Sequence, residues 1–212
     1  MKKFPLLYLM LSMIYSVISF AAEKNVIFFI TDDQSPTLGC YGDPVAQTPA
    51  IDALAADGTL FTHAFATPAS CSASRSVVMS GLHNHANGQY GHQHAFHKFS
   101  SYYNVISLSL PRAMAEAGYR TGHIGKYHVA PEEVFHFETY LRGSGRNAVQ
   151  MAERSREFIT EKSDKPFFLY FATSDPHRGG GKDKNSQRTL KPDLFGNKPD
   201  RESHDGVEEV IY

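Results

Sequence analysis

Two short, continuous apolar runs constrain this chain most: NVIFFIT over residues 25–31 and PFFLYFAT over residues 166–173. Neither run alternates apolar with polar residues, and both are rich in β-branched and aromatic side chains. That pattern suits strands buried on both faces, as in a parallel sheet covered by helices. Each run stops in polar residues, Asp32-Asp33-Gln34-Ser35-Pro36 after the first and Ser174-Asp175-Pro176-His177 after the second. In open α/β sheets the ligand crevice lies beyond the carboxyl ends of the strands. Carboxylates and imidazoles at those ends are therefore placed to act on a ligand.

Helical and extended patterns alternate between the two runs. Thr48 as N-cap, Pro49 at the first helical position and Gly58 as a stop mark a short helix. Residues 59–66 read as a strand. Residues 70–80 (SCSASRSVVMS) read as a loop entering a helix whose first turn holds Cys71. Residues 108–117 form a helix closed by Gly118, and residues 119–125 form a strand that delivers Lys126 and His128. Ala148, Met151, Ala152, Ser155, Phe158 and Ile159 recur at helical spacing. The fold class expected is α/β, with a mostly parallel central sheet and helices on both faces. Residues 178–206 lack periodicity and are rich in Gly, Lys, Asp and Asn, the composition of a long surface loop or insertion.

The first residues differ from the rest. Lys2 and Lys3 precede an apolar stretch over residues 4–20, and Ser19-Phe20-Ala21 offers the small residues of a cleavage site. Residues 1–21 read as a secretory signal peptide and residues 22–212 as the exported part. The location expected is periplasmic or secreted (lysosomal in a eukaryote), without stable membrane insertion once the signal is cleaved. The 21 basic and 22 acidic side chains nearly cancel, so no general attraction to nucleic acid or an anionic membrane arises. An anionic substrate must be met by a local basic pocket. An exported chain with only Cys40 and Cys71 would ordinarily pair them in a disulfide. The surroundings of Cys71 argue otherwise.

Asp32-Asp33 offers two hard oxygen donors, the type calcium and magnesium prefer, although adjacent aspartates also suit a solvated turn. Cys71 enters a helix start, where backbone N–H groups and the helix dipole favour negative charge, and Arg75 follows one turn later. Cys71-Ser72-Ala73-Ser74-Arg75 resembles the signature of the sulfatase family, a cysteine followed two residues later by Pro or Ala and four residues later by Arg. Further segments match that family in order: residues 25–33, LGCYG (38–42), TPAID (48–52), SGL (80–82), GHIGK (122–126), His128 and Asp175-Pro176-His177. The resemblance covers nearly all of residues 25–177.

The resemblance implies an alkaline-phosphatase-like fold and a hydrolase whose Cys71 is oxidised by a maturation enzyme to Cα-formylglycine. It further implies one divalent cation, calcium in most members and less often magnesium, bound by Asp32, Asp33 and an oxygen at position 71. Arg75 would hold the nucleophile and the metal carboxylates, and Lys126 would clamp a sulfate oxygen. His128 would act as base for sulfate release, and His177 would protonate or orient the leaving atom. Standing alone, Arg75 and Lys126 read equally as surface charges, and His128 and His177 as satisfied loop histidines.

Within the family, residues 81–91, 120–129 and 166–178 look most like the heparan N-sulfatase subgroup, whose substrate is N-sulfoglucosamine of heparan sulfate or heparin. The alternatives are an O-sulfatase of another sulfated glycan or small ester, a related phosphodiesterase or phosphonate hydrolase, and an inactive remnant. Two departures stand out. Position 73 is Ala where the subgroup usually has Pro. The family also places a second pair of metal ligands, and another basic residue, downstream of Tyr212, and His204-Asp205-Gly206 is only an imitation of that pair. The chain therefore reads as an N-terminal portion whose C-terminal part is missing. His83, His85, His92, His94 and His97 suggest zinc by composition. They read instead as a polar loop near the pocket mouth, because Gly81, Gly88 and Gly91 break any helix that would align them.

Overall fold

The computed structural model describes residues 24–93 and 98–177. The expected signal peptide, His94, His97 and the expected loop over 178–206 lie outside the described residues.

The second apolar run becomes a central strand of one sheet, and the first becomes the edge strand beside it. Strands β1 (Val26–Asp32), β2 (Arg120–Gly125), β3 (Thr139–Leu141) and β4 (Phe167–Pro176) lie in the order β1-β4-β2-β3. All three pairings are parallel, with Phe29 opposite Phe171 and Ile124 opposite Phe171 across the two sides of β4. Period-two alternation sends Phe168, Tyr170 and Ala172 to one face and Phe167, Leu169 and Phe171 to the other. The first set packs with Met79, Val105, Val134, Phe135 and Phe137. Met79 comes from helix α2 (Cys71–Ser80), and Leu110 and Met114 of α4 (Leu110–Glu116) pack against that cluster. The second set packs with Met151 and Phe158 of α5 (Ala148–Thr160). Helices thus cover both faces, which is why β4 carries no polar alternation.

Local signals agree with the elements. Helix α1 (Pro49–Asp57) starts on the proline and gives way to Gly58. Thr48 does not cap it directly: its Oγ1 accepts from the Gly39 N–H and donates to Asp52 Oδ1, which also accepts from the Cys40 N–H. This ties a 3-10 turn (Gly39–Tyr41) to α1. Asn147 caps α5 by accepting from Gln150 N. Glycine at 122 lets α5 approach β2, since a Cβ there would sit 2.7 Å from Phe158 Cζ. The short helix α3 (Asn84–Asn87) lies between Gly81 and Gly88, as the glycine spacing requires.

The strand expected over residues 59–66 is not formed. Those residues run as a loop in which Phe61 and Phe65 are 67% and 85% exposed. Among the described residues this segment pairs with no strand, so it lacks the ladder hydrogen bonds that an apolar pattern alone cannot supply. The helix expected over 108–117 is shorter, with a 3-10 turn (Tyr103–Leu108) ahead of α4. Cys40 and Cys71 are both free. No helix among the described residues is long and apolar enough to cross a membrane.

Candidate functional site

The carboxyl ends of β1 and β4 and the start of α2 converge on one cavity. Asp32 is the last residue of β1, where the register against β4 slips: Ile30 faces Ala172, but Asp32 faces Pro176. Its side chain is buried between two cations. Arg75 Nη2 donates to Oδ1 at 3.3 Å and Lys126 Nζ donates to Oδ2. Burial by itself would raise the Asp32 carboxyl, but the Lys126 hydrogen bond and the charges of Lys126 and Arg75 outweigh it and hold the group below its ordinary range. Asp32 is thus ionised wherever the fold is intact near neutral pH.

Arg75 is fixed on three further counts. It sits one helical turn after Cys71, and its Nη1 donates to the Lys126 carbonyl at 3.1 Å and to Tyr170 Oη at 3.3 Å. Burial pushes the Tyr170 hydroxyl up, with Arg75 opposing, so Tyr170 stays neutral and acts as an acceptor. Asp33 follows Asp32 in the left-handed region at φ 57°, a conformation aspartate tolerates better than most residues.

Cys71 opens α2 directly after its N-cap Ser70. Together with Asp32, Asp33, Arg75, His92 and His177 it lines a cavity of about 480 Å³, within the size range of small-molecule sites. One donor atom each from Asp32, Cys71 and His177 lie within 4.8 Å of one another. Of the expected metal residues, Asp32 and Cys71 fall in this group and Asp33 lies on the same cavity wall. His177, expected as a proton donor, joins the group as a third candidate ligand.

Lys126, expected to clamp a sulfate oxygen, meets Asp32 and is not among the residues lining the cavity. His128 is not among the lining residues. It adopts φ 54°, its Nε2 lies 3.2 Å from the Gln93 carbonyl, and its ring stacks on His92 at 6.0 Å and 18°. His92 lies between it and the cavity, with Nε2 3.2 Å from Ser70 Oγ. His177 is carried by the end of β4, which Arg146 secures: Nη1 donates to Asp175 Oδ1 at 2.8 Å and to the His177 carbonyl at 2.9 Å.

Three residues of the site carry no role from sequence. Tyr170 reads as core, and its contact with Arg75 spans 95 residues. Arg146 lies in a glycine-flanked loop with no motif. His92 is legible only as one of five histidines near the pocket mouth.

The sulfatase family model matches residues 24–194. Human N-sulphoglucosamine sulphohydrolase is 41% identical over 167 residues, covering 76% of this chain and 33% of that protein. The ulvan-active sulfatase of Formosa agariphila is 32% identical over 170 residues, covering 78% of this chain and 33% of that protein. The chain thus spans about a third of the length of these curated relatives. A solved complex with its substrate D-glucosamine-2-N,6-O-disulfate superposes with a TM-score of 0.59 at 23% identity, over 75% of this chain and 36% of that one. At that identity the likeness concerns the fold.

Proposed function

The chain belongs to the sulfatase family, and from that premise we propose that it hydrolyses sulfate from a sulfated sugar, with N-sulfoglucosamine of heparan sulfate or heparin as the favoured substrate class. One observation carries the reading: the donor atoms of Asp32, Cys71 and His177 cluster within 4.8 Å, beside Arg75 and Lys126, which are both bonded to Asp32. The substrate class draws on the 41% identity with a protein that acts on N-sulphoglucosamine. The ulvan-active relative supports a second reading, an O-sulfatase of another glycan.

Hydrolysis of a sulfate or sulfamate must overcome repulsion between the anionic oxygens and any nucleophile. Arg75 and Lys126 keep Asp32 charged, so its carboxylate is ready for a hard cation, calcium before magnesium. When bound by Asp32 and Asp33, that cation supplies Lewis-acid polarisation. The buried carboxylate, a second aspartate on the same wall and the absence of competing soft donors once Cys71 is converted all fit such an ion. Residue 71, as the hydrated Cα-formylglycine aldehyde, provides one hydroxyl to attack sulfur and a second that expels sulfate after losing its proton. A plain thiol lacks the second group.

The remaining residues handle charge and protons. Lys126, beside Asp32, neutralises a sulfate oxygen. His177, in the cavity wall, protonates the leaving nitrogen or oxygen, and His128, behind His92, accepts a proton during sulfate release. Arg75 fixes Asp32 relative to residue 71. The proposal includes conversion of Cys71 by a maturation enzyme and export through residues 1–21 to the periplasm, the exterior or a lysosome, where sulfated glycan is met.

The test is sulfate release by the matured protein from N-sulfoglucosamine, from O-sulfated sugars and from phosphodiesters in parallel. Turnover of N-sulfoglucosamine that Cys71→Ala abolishes is expected. Activity on O-sulfates alone favours the second reading, and activity on phosphodiesters alone contradicts both.

A further inference from the structure

We propose that, while Cys71 is still a thiol, the same cavity holds a zinc-type site built from Cys71 Sγ, the His177 imidazole and the Asp32 carboxylate, so that the chemical state of residue 71 selects the metal. The three donors come from separate elements: the start of α2, the end of β4 and the end of β1. They lie within 4.8 Å of one another. Tetrahedral zinc with bonds of about 2.0–2.3 Å sets its donors about 3.3–3.8 Å apart. Closing the group therefore requires movement of about an ångström.

The donor chemistry separates this site from the one proposed for the matured protein. Calcium takes six to eight oxygens, whereas one thiolate, one imidazole and one carboxylate form a set suited to zinc. Conversion of Cys71 to an aldehyde removes the sulfur and returns position 71 to oxygen donation. Three protein ligands leave a fourth position for water, and the cavity of about 480 Å³ has room for it.

Charge at the site permits the ion. Arg75 and Lys126 oppose a divalent cation, while Asp32, Asp33 and the thiolate formed on binding attract it. A carboxylate has about four lone-pair positions, so the two hydrogen bonds that Asp32 accepts leave capacity for a metal bond. Zinc binding displaces the thiol proton and covers the sulfur, which withdraws Cys71 from electrophiles. This inference does not depend on the hydrolytic reading, since it needs neither the aldehyde nor a substrate.

The experiment uses the full chain made in a host without the maturation enzyme, with the thiol at residue 71 confirmed by peptide mass. Zinc ion alone is titrated in competition with a chromophoric chelator, and iodoacetamide labelling of Cys71 and Cys40 is followed with and without zinc. One zinc per chain is expected, with slowed labelling at Cys71 and unchanged labelling at Cys40. Cys71→Ser and His177→Gln should each weaken binding by more than about tenfold, while Cys40→Ser should not. Both key variants spare the Arg75–Asp32 pair, and thermal melts verify that they fold. Excess calcium should fail to displace the zinc. No competition with the chelator, or equal binding by Cys71→Ser, overturns the proposal; loss of sulfate hydrolysis alone leaves these readouts untouched.

Discussion

Arg75 Nη2 lies 3.3 Å from Asp32 Oδ1, and the two side chains are 3% and 4% exposed. An ion pair this buried contributes little over an apolar pair, but removing one partner strands the other charge away from water, at a cost of about 3–5 kcal/mol. Arg75→Met should therefore lower unfolding free energy by about 3 kcal/mol in urea denaturation, since Lys126 still neutralises part of Asp32. Arg75→Lys should recover little of it, because an ammonium cannot reach Asp32, the Lys126 carbonyl and Tyr170 Oη from one planar fork. Stability at the parent level in Arg75→Met would refute the role of this pair.

Arg146 holds the strand end that carries His177. Its guanidinium bonds the Asp175 carboxylate and the His177 carbonyl. The side chain is 32% exposed, so the ion pair itself adds little stability. Arg146→Ala should leave the melting temperature nearly unchanged while kcat falls roughly tenfold or more, because small displacements of a reacting group are costly. In a His177→Ala background the same substitution should add nothing. Fully additive losses would show that Arg146 does not work through His177.

His123 makes stability depend on pH. It is buried against Tyr127, Phe137, Tyr140 and Tyr170, and burial lowers its pKa from 6.5 to about 4, with the Lys126 backbone partly opposing and Arg75 adding to the shift. The unfolded chain therefore takes up a proton between pH 6.5 and 4 that the folded chain refuses. The stability is present above pH 6.5 and is lost as pH falls toward 4, by about 3 kcal/mol in all. Denaturation curves collected across that window should show the slope, and His123→Phe should flatten it. An unchanged slope in the variant would assign the effect to other groups.

Gly122 lies under the Phe158 ring, which is itself held by Phe167 at 5.8 Å and by the Arg120 guanidinium at 5.0 Å. The ring has little freedom to retreat from an added methyl. Gly122→Ala should cost about 1–3 kcal/mol by overpacking, measured as a shift of the denaturation midpoint. A neutral result would mean that α5 slides on the sheet without penalty.

Much of this arrangement is legible in the amino-acid order, for identifiable reasons. Strand β4 announces itself because burial on both faces demands an unbroken apolar run, whereas β1 carries the same pattern at a sheet edge that leaves Ile27 and Phe29 exposed. Asp32, Cys71 and Arg75 are legible because their roles fix residue type at short spacing. The strand expected at 59–66 fails because β-structure depends on a neighbour, which no local pattern encodes. The same dependence hides β3, whose three residues extend only because Thr139 pairs with Gly122. Tyr170 and Arg146 act through partners distant in sequence or through loop geometry, so nothing local marks them.

The central claim is that residue 71 is the nucleophile of a sulfatase, poised between Asp32 and His177. Peptide mass spectrometry across residues 70–75 of protein from its native host, on material that releases sulfate from N-sulfoglucosamine, tests it most directly. The account predicts Cα-formylglycine at position 71. An intact cysteine thiol in fully active protein would contradict it.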